Sequence, residues 1–351
     1  MPPVGDTKTL SIEDFRTMRD FIHDKAGMYF ADNKLYLLQS RLAKRMSELG
    51  VATFRDYFYR VKYDASHREF NELMNLVTTN ETYYFRNEPQ LDSFAKAALP
   101  EILEMKRKSA GQKTLRIWSA GCSTGEEPYT LAMLILDALK GESGWRVEII
   151  ANDISEQALQ KARSGVYAGP TLRYVKPEAL RRFFDKDGDS YKVKREVKAL
   201  VKFVQLNLNA TNKLALYKNL DIIFCRNVMI YFSEDVKRKI VRAFYHALTT
   251  GGHMFIGHSE TLHGISKAFK LKYYNGALVY VKDESEKVRG ADMMLPSSQA
   301  SSQASSQAKN QKRATRPTSA VSAKKSGATK ALELLAQIKA KQAAQKNLAT
   351  K

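Results

Sequence analysis

The chain has 351 residues, of which 44% are hydrophobic, enough for a sizeable core and too many for wholesale disorder. No window approaches the roughly 18 consecutive apolar residues of a membrane span, and the opening MPPVGDTKTLSIEDF lacks the charged-then-apolar layout of an export signal. The formal net charge of +20 looks like a nucleic-acid flag, yet from residue 286 onward 13 Lys and Arg stand against 3 Asp and Glu, so half of the surplus lies in the tail.

Residues 1–77 read as a helical domain. Leu35, Leu38, Leu42, Met46 and Leu49 form one apolar stripe at helical spacing, closed by Gly50. At 100° per residue, Lys34, Arg41, Lys44 and Arg45 make a basic stripe beside it. That stripe is either a docking face for an acidic partner or a solvated flank of the core. TFRDYFYRVKYD and REFNELMNLV supply two further amphipathic segments. A linker over 78–110, containing TTNETYYFR, leads to a different pattern.

Between residues 111 and 285 short apolar runs alternate with helical stretches. LRIWSA (115–120), VEIIAND (147–153), DIIFCRN (221–227) and HMFIGHS (253–259) are rich in β-branched and aromatic residues. Alternation of this kind predicts an α/β architecture, a Rossmann-like, mostly parallel sheet between helical layers. KYYNGALVYVKD (272–283) lacks a crossover helix and predicts a final antiparallel strand. The stretch 181–207 reads as a small antiparallel β-subdomain around the Asp187-Gly188 turn.

In such sheets ligands bind beyond the carboxyl ends of the strands, and three strand ends carry suggestive groups. SAGCSTGEEPYT (119–130) is a small-residue loop leading into a helix. It lacks GxGxxG spacing, and Glu126 and Glu127 put negative charge where a dinucleotide would place its pyrophosphate. A cofactor carrying positive charge is favoured; alternatively the two acids merely complement the helix dipole. Asp153 closes the second strand, where a carboxylate can take both ribose hydroxyls of an adenosine or cap the next helix. Arg226-Asn227 ends a buried strand, with Tyr231 about one turn further on.

LRIWSAGCSTGEEPYTLA, ARSGVY, IIFCRNVMIYF and GGHMFIGHSE, in this order and with the β-excursion interposed, resemble the CheR-type chemotaxis methyltransferases from about residue 10 to 285. The resemblance implies a class I methyltransferase sheet after an all-α domain, with S-adenosyl-L-methionine as cofactor and S-adenosyl-L-homocysteine as product. It implies methyl transfer to glutamate carboxylates of chemoreceptors, whose cytoplasmic methylation helices would be the partner. Asn80, Thr82 and Arg86 would contact the cofactor from the linker, Glu126 (chosen over Glu127) from the first loop, and Asp153 at the ribose. Asn207, Leu208, Asn227 and Val228 would line the adenine side. Arg86 and Tyr231 would orient the cofactor's carboxylate end and the incoming glutamate.

Rival readings are a methyltransferase for nucleic acid or another protein, a nicotinamide-dependent oxidoreductase and a non-catalytic S-adenosylmethionine-binding module. The stripe of Lys34, Arg41, Lys44 and Arg45 is narrow and no RNA-binding module is visible, so no nucleic-acid partner is expected. His253, His258 and His263 share no face, so no metal site is expected. Cys122 and Cys225 form neither a disulfide framework nor a zinc site, and a monomer in a reduced cytoplasm is expected. FFDKDGDSYKV (183–193) looks shorter than the corresponding loop of members that dock a receptor C-terminal peptide, which speaks against that route. Residues 286–351 read as a disordered basic tail, with a helix-forming segment at 331–345 carrying Ala331, Leu335 and Ile338 on one face.

Overall fold

A computed structural model describes residues 9–109, 113–274 and 276–283, all within one packed unit. The expected tail and its helix-forming segment lie outside the described residues.

The N-terminal helices are α1 (Ile12–Ala26), α2 (Leu35–Glu48), α3 (Phe54–Tyr63) and α4 (Arg68–Val77). Their starts are written locally: Ser11 and Thr53 accept from the backbone amides of Asp14 and Asp56, each satisfying an otherwise orphaned helix donor. Helix α1 ends where Gly27 takes φ 74°, a conformation that favours glycine. The apolar stripe of α2 is buried through Leu38, Leu42 and Met46, against Phe15, Met18, Ile22, Tyr57 and Leu73. Each such side chain contributes about 1.5–3 kcal/mol through burial, so this cluster holds the four helices together.

The span expected to be a linker is only partly one. After an extended stretch, α5 (Glu88–Ser93), a π-helical turn and α6 (Leu99–Lys108) pack Phe94, Leu99 and Ile102 onto the sheet as part of a helical layer.

The sheet follows with β1 (Thr114–Ala120), α7 (Glu126–Ala138), β2 (Arg146–Asp153) and α8 (Glu156–Ser164). Next come β3 (Val166–Tyr167), α9 (Pro177–Phe183), β4 (Phe184–Asp187), β5 (Ser190–Val193), α10 (Arg195–Lys198), β6 (Val201–Gln205) and α11 (Thr211–Leu214). The chain closes with β7 (Leu220–Cys225), α12 (Glu234–Ala247), β8 (Leu248–Ile256), β9 (Phe269–Tyr274) and β10 (Ala277–Lys282). Seven strands run in the order β6-β2-β1-β7-β8-β10-β9, and β10 pairs antiparallel with both neighbours. The central parallel strand β7 is buried along its whole length because both faces are covered. Ile117, Ile149, Ile222 and Phe255 face α6 and α7, whereas Trp118, Ile223, Met254 and Ile256 face α12.

One boundary differs from expectation. The β-subdomain is the three-stranded sheet β3-β5-β4, whose β4–β5 hairpin turns at Gly188 with φ 56°. It recruits Val166–Tyr167 from upstream and excludes Val201–Gln205, which pairs parallel to β2 as an edge of the main sheet. The edge position is the reason for the misreading: VKFVQ is only half-buried and alternates with polar residues, the pattern of an antiparallel ribbon.

Candidate active site

The carboxyl ends of β1, β2 and β7 open into one cleft, roofed by the linker residues 78–83 and by Ala26 and Met28 of the helical domain. Its floor starts in the loop after β1. Gly121 has φ 75°, and a Cβ there would stand 2.5 Å from a methyl of Val228, so glycine lets the β1 and β7 loops meet. The amides of Gly121 and Cys122 both donate to the carbonyl of Asn152 at 2.8 Å, locking the loop to the end of β2.

Asp153 is 8% exposed and lines the cleft. Its Oδ2 accepts from the Ser123 amide at 2.8 Å and its Oδ1 from the Ser155 amide at 2.9 Å. Burial pushes its pKa up, against the pull of those amides. A carboxylate held by two backbone donors still presents free lone pairs on both oxygens, which suits a vicinal diol.

The two acids that open α7 have separate surroundings. Glu126 is 1% exposed and turns away from the cleft, accepting from Thr124 Oγ1 and Thr171 Oγ1, both at 2.7 Å. Glu127 borders the cleft instead. It accepts from Ser119 Oγ at 2.8 Å and pairs with Arg226 at 3.3 Å. Burial raises its pKa, and the Arg226 charge opposes that rise.

Arg226 is a buttress between β7 and the linker. Its Nε donates to Gln90 Oε1 at 2.8 Å and its Nη2 to the Arg86 carbonyl at 2.6 Å, while Gln90 donates to the Ile256 carbonyl. Neither Gln90 nor this role of Arg226 was visible in the sequence, since a glutamine on a short helix carries no spacing signal. Glu260, in the GHSE run, likewise accepts from the amides of Gly257, Asn227 and Ile230, and so shapes the loop in which Asn227 takes φ 59°.

The other expected residues converge. Asn80, Thr82, Arg86, Asn207, Leu208, Asn227, Val228 and Tyr231 all line the same cleft. Asn80 accepts from Ser123 Oγ at 3.3 Å, and Arg86 donates to the Glu81 carbonyl at 3.0 Å. The Asn207 amide is engaged by the helical domain, donating to the Lys25 carbonyl at 2.7 Å. The Tyr231 carbonyl takes the Tyr29 amide at 2.8 Å, beside a β-bridge between Met28 and Phe232. Hence the helical domain is bonded to the rim of the cleft.

The basic stripe is brought together but not left uniform. Arg45 forms a bidentate pair with Glu69 at 2.9 and 2.7 Å, and Arg41 donates to the Val77 and Thr78 carbonyls and to Thr79 Oγ1. Lys34 and Lys44 are exposed. His253 is buried in β8 beside the Tyr274 hydroxyl at 3.0 Å, away from the cleft. Among the described residues no helix is long and apolar enough to cross a membrane.

The donor set suits an adenosine bearing a cationic end: a carboxylate for the ribose, asparagines beyond it, and a second buried carboxylate at the helix start where a phosphate would be repelled. With the strand order, it defines a Rossmann-like, S-adenosylmethionine-dependent methyltransferase. Within that class the chain belongs to the CheR methyltransferase family. The family's SAM-binding domain matches residues 80–275, and its all-alpha domain matches residues 13–78. Chemotaxis protein methyltransferase 2 of Vibrio cholerae is 35% identical over 275 residues, covering 78% of this chain and 94% of the relative. The chemotaxis protein methyltransferase of Escherichia coli is 34% identical over 280 residues, covering 78% and 93%. Chemotaxis protein methyltransferase 1 of Pseudomonas aeruginosa is 35% identical over 273 residues, covering 76% and 97%. The protein is accordingly an enzyme of chemotaxis that uses S-adenosylmethionine.

Proposed function

We propose that the enzyme methylates glutamate side chains on the cytoplasmic methylation helices of a chemoreceptor, acting as a monomer in the cytoplasm. The observation that supports this most is the one cleft that Asp153, Glu127, Asn80, Thr82 and Arg86 share with the apolar side chains of Ala26, Met28 and Phe232. In this reading Asp153 takes the ribose, while Asn207, Leu208, Asn227 and Val228 border the adenine. Asn80, Thr82 and Arg86 hold the amino-acid end, with Glu127, in place of Glu126, facing its ammonium.

S-adenosylmethionine, when bound, supplies an electrophilic methyl group on a sulfonium. A glutamate side chain is ionised at neutral pH, with an ordinary pKa of about 4.3, so no general base is required. The residues of the cleft have two tasks: to align the acceptor carboxylate within about 3–3.5 Å of the methyl, and to exclude water as opposite charges disappear. Arg86 and Tyr231 serve the alignment and the apolar side chains serve the exclusion. Substrate docking falls to the helical domain through Lys34 and Lys44, since Arg41 and Arg45 already have internal partners.

Labelled methyl transfer to a receptor cytoplasmic fragment tests the reading. The product should release methanol in mild alkali, as a carboxyl ester does, and map to glutamates. An alkali-stable product would sink it.

A further inference from the structure

Beside Tyr83, which lines the cleft, stands an arginine with no ion pair among the described residues. Arg173 follows the turn Gly169–Leu172, and its guanidinium carbon stands 3.9 Å from the ring centre of Tyr83 and 5.2 Å from that of Tyr174. Tyr83 lines the cleft, and the Arg86 guanidinium stands 5.6 Å from the same ring. A guanidinium resting on aromatic faces loses little of its hydrogen-bonding capacity, because its N–H groups point outward from its edge. Arg173 donates to the Pro170 carbonyl of its own turn at 3.3 Å, and the carboxylates of this region, Glu88, Glu178 and Asp137, pair with Lys176, Arg181 and Arg182 instead.

Two cations of the neighbouring groove differ from it. In the neighbouring groove, which Tyr83 also lines, Arg182 is paired with Asp137 and Lys176 with Glu88. The turn carrying Arg173 is also preset. The Tyr84 amide donates to the Thr171 carbonyl at 3.0 Å, and the Thr171 hydroxyl donates to the buried Glu126. Glu126 therefore acts at a distance from the cleft, by holding the turn against the linker.

We infer that Arg173 is a substrate-positioning residue, which takes a carboxylate of the incoming acidic segment at the rim and so guides a neighbouring glutamate into the cleft. The inference rests on the receptor-glutamate reading above and adds the side chain that recognises the segment's charge. An Arg–carboxylate pair at a solvated rim acts mainly on encounter and on the salt dependence of association.

Arg173→Ala should raise the KM for an acidic receptor fragment by roughly three- to tenfold and flatten its salt dependence. The kcat should stay within about twofold, and affinity for S-adenosylhomocysteine should not change, because Arg173 lies outside the cofactor's donor set. Arg173→Lys, which keeps the charge and loses the planar fork, should recover part of the KM and of the salt slope. An unchanged KM in Arg173→Ala, or a loss of S-adenosylhomocysteine affinity in parallel with KM, would overturn the inference. No alkali-labile methylation of the fragment by the unmodified enzyme would overturn the receptor-glutamate reading itself, and the inference with it.

Discussion

The sheet and the helical domain both carry arginines beside carboxylates, but they set them to different uses. In the sheet, Arg226 and Glu127 are drawn together at the mouth of a cleft, with the arginine side chain 3% exposed and the carboxylate still bordering open space. In the helical domain, Arg45 and Glu69 close on each other and on the Tyr57 hydroxyl within the packing of α2, α3 and α4. The first pair supports a binding surface and the second supports a fold. The residue types are alike in the two places; burial and the third partner separate them.

The comparison can be broken most directly at Arg226. Arg226→Ala strands Glu127 and Gln90 without their shared partner, and should destabilise the protein by about 3–5 kcal/mol. Urea unfolding measures this, and a loss below about 1 kcal/mol would mean the pair is not the buttress described. A smaller loss, roughly 1–3 kcal/mol, is expected for Arg45→Ala, whose side chain is 25% exposed and partly replaceable by water.

Acid should also distinguish the two regions. Burial lowers the pKa of His253 from 6.5 to about 4. Between those values the unfolded chain binds a proton that the folded one refuses, so the stability from a neutral His253 is present above pH 6.5 and lost as pH falls towards 4. The loss amounts to about 3 kcal/mol. Glu69 works in a lower window. Burial opposes its ionisation, but the bonds from Arg45 and Tyr57 hold its pKa below the usual 4.5, so its contribution persists until that range is reached. Urea unfolding at pH 7 and pH 4.5 should show His253→Gln losing much less stability than the unmodified protein. Asp153 and Glu127, whose raised pKa values act in the opposite sense, are common to both proteins and drop out of the difference. Equal pH dependence of the two proteins would refute the assignment.

Within the cleft, Asp153→Asn should weaken S-adenosylhomocysteine by about 1–3 kcal/mol in calorimetry, since one acceptor becomes a donor. Unchanged affinity in a folded variant would remove Asp153 from the ribose role. The smallest effect on stability belongs to the exposed half of the basic stripe. Lys34→Glu with Lys44→Glu should shift stability by no more than about 0.5 kcal/mol, while raising the KM for receptor at low salt several-fold. Equal kinetics at low salt would leave the helical domain with a covering role alone.

Much of the architecture was legible because it is periodic. The apolar runs ending at Ala120, Asp153 and Cys225 are strands whose last three residues are buried, and each ends at the cleft. VKFVQ escaped because an edge strand lacks that continuous burial. The loop after β1 and the Asn227 turn were legible as chemistry, since small and polar residues directly after apolar strands have few other reasons to be there. Gln90 and Glu260 were not. Their partners lie 136 and 33 residues away, and a lone glutamine or glutamate has no pattern to betray it.

The order of strands and helices, the glycine loop, the acid closing the second strand and the membership of a methyltransferase family follow from the sequence by itself, because they depend on local period and on contiguous motifs. Tertiary structure alone decided which member of each adjacent or clustered pair borders the cleft or stays open to solvent. Glu126 and Glu127 are neighbours on one helical turn, and consecutive helical residues point about 100° apart. Only the placement of α7 against Thr171 on one side and Arg226 on the other directs Glu126 inward and Glu127 to the cleft. The same holds for the stripe on α2. Packing of α4 gives Arg41 and Arg45 internal partners, and leaves Lys34 and Lys44 to solvent, since an ion pair forms only where the fold brings a carboxylate or carbonyl within reach.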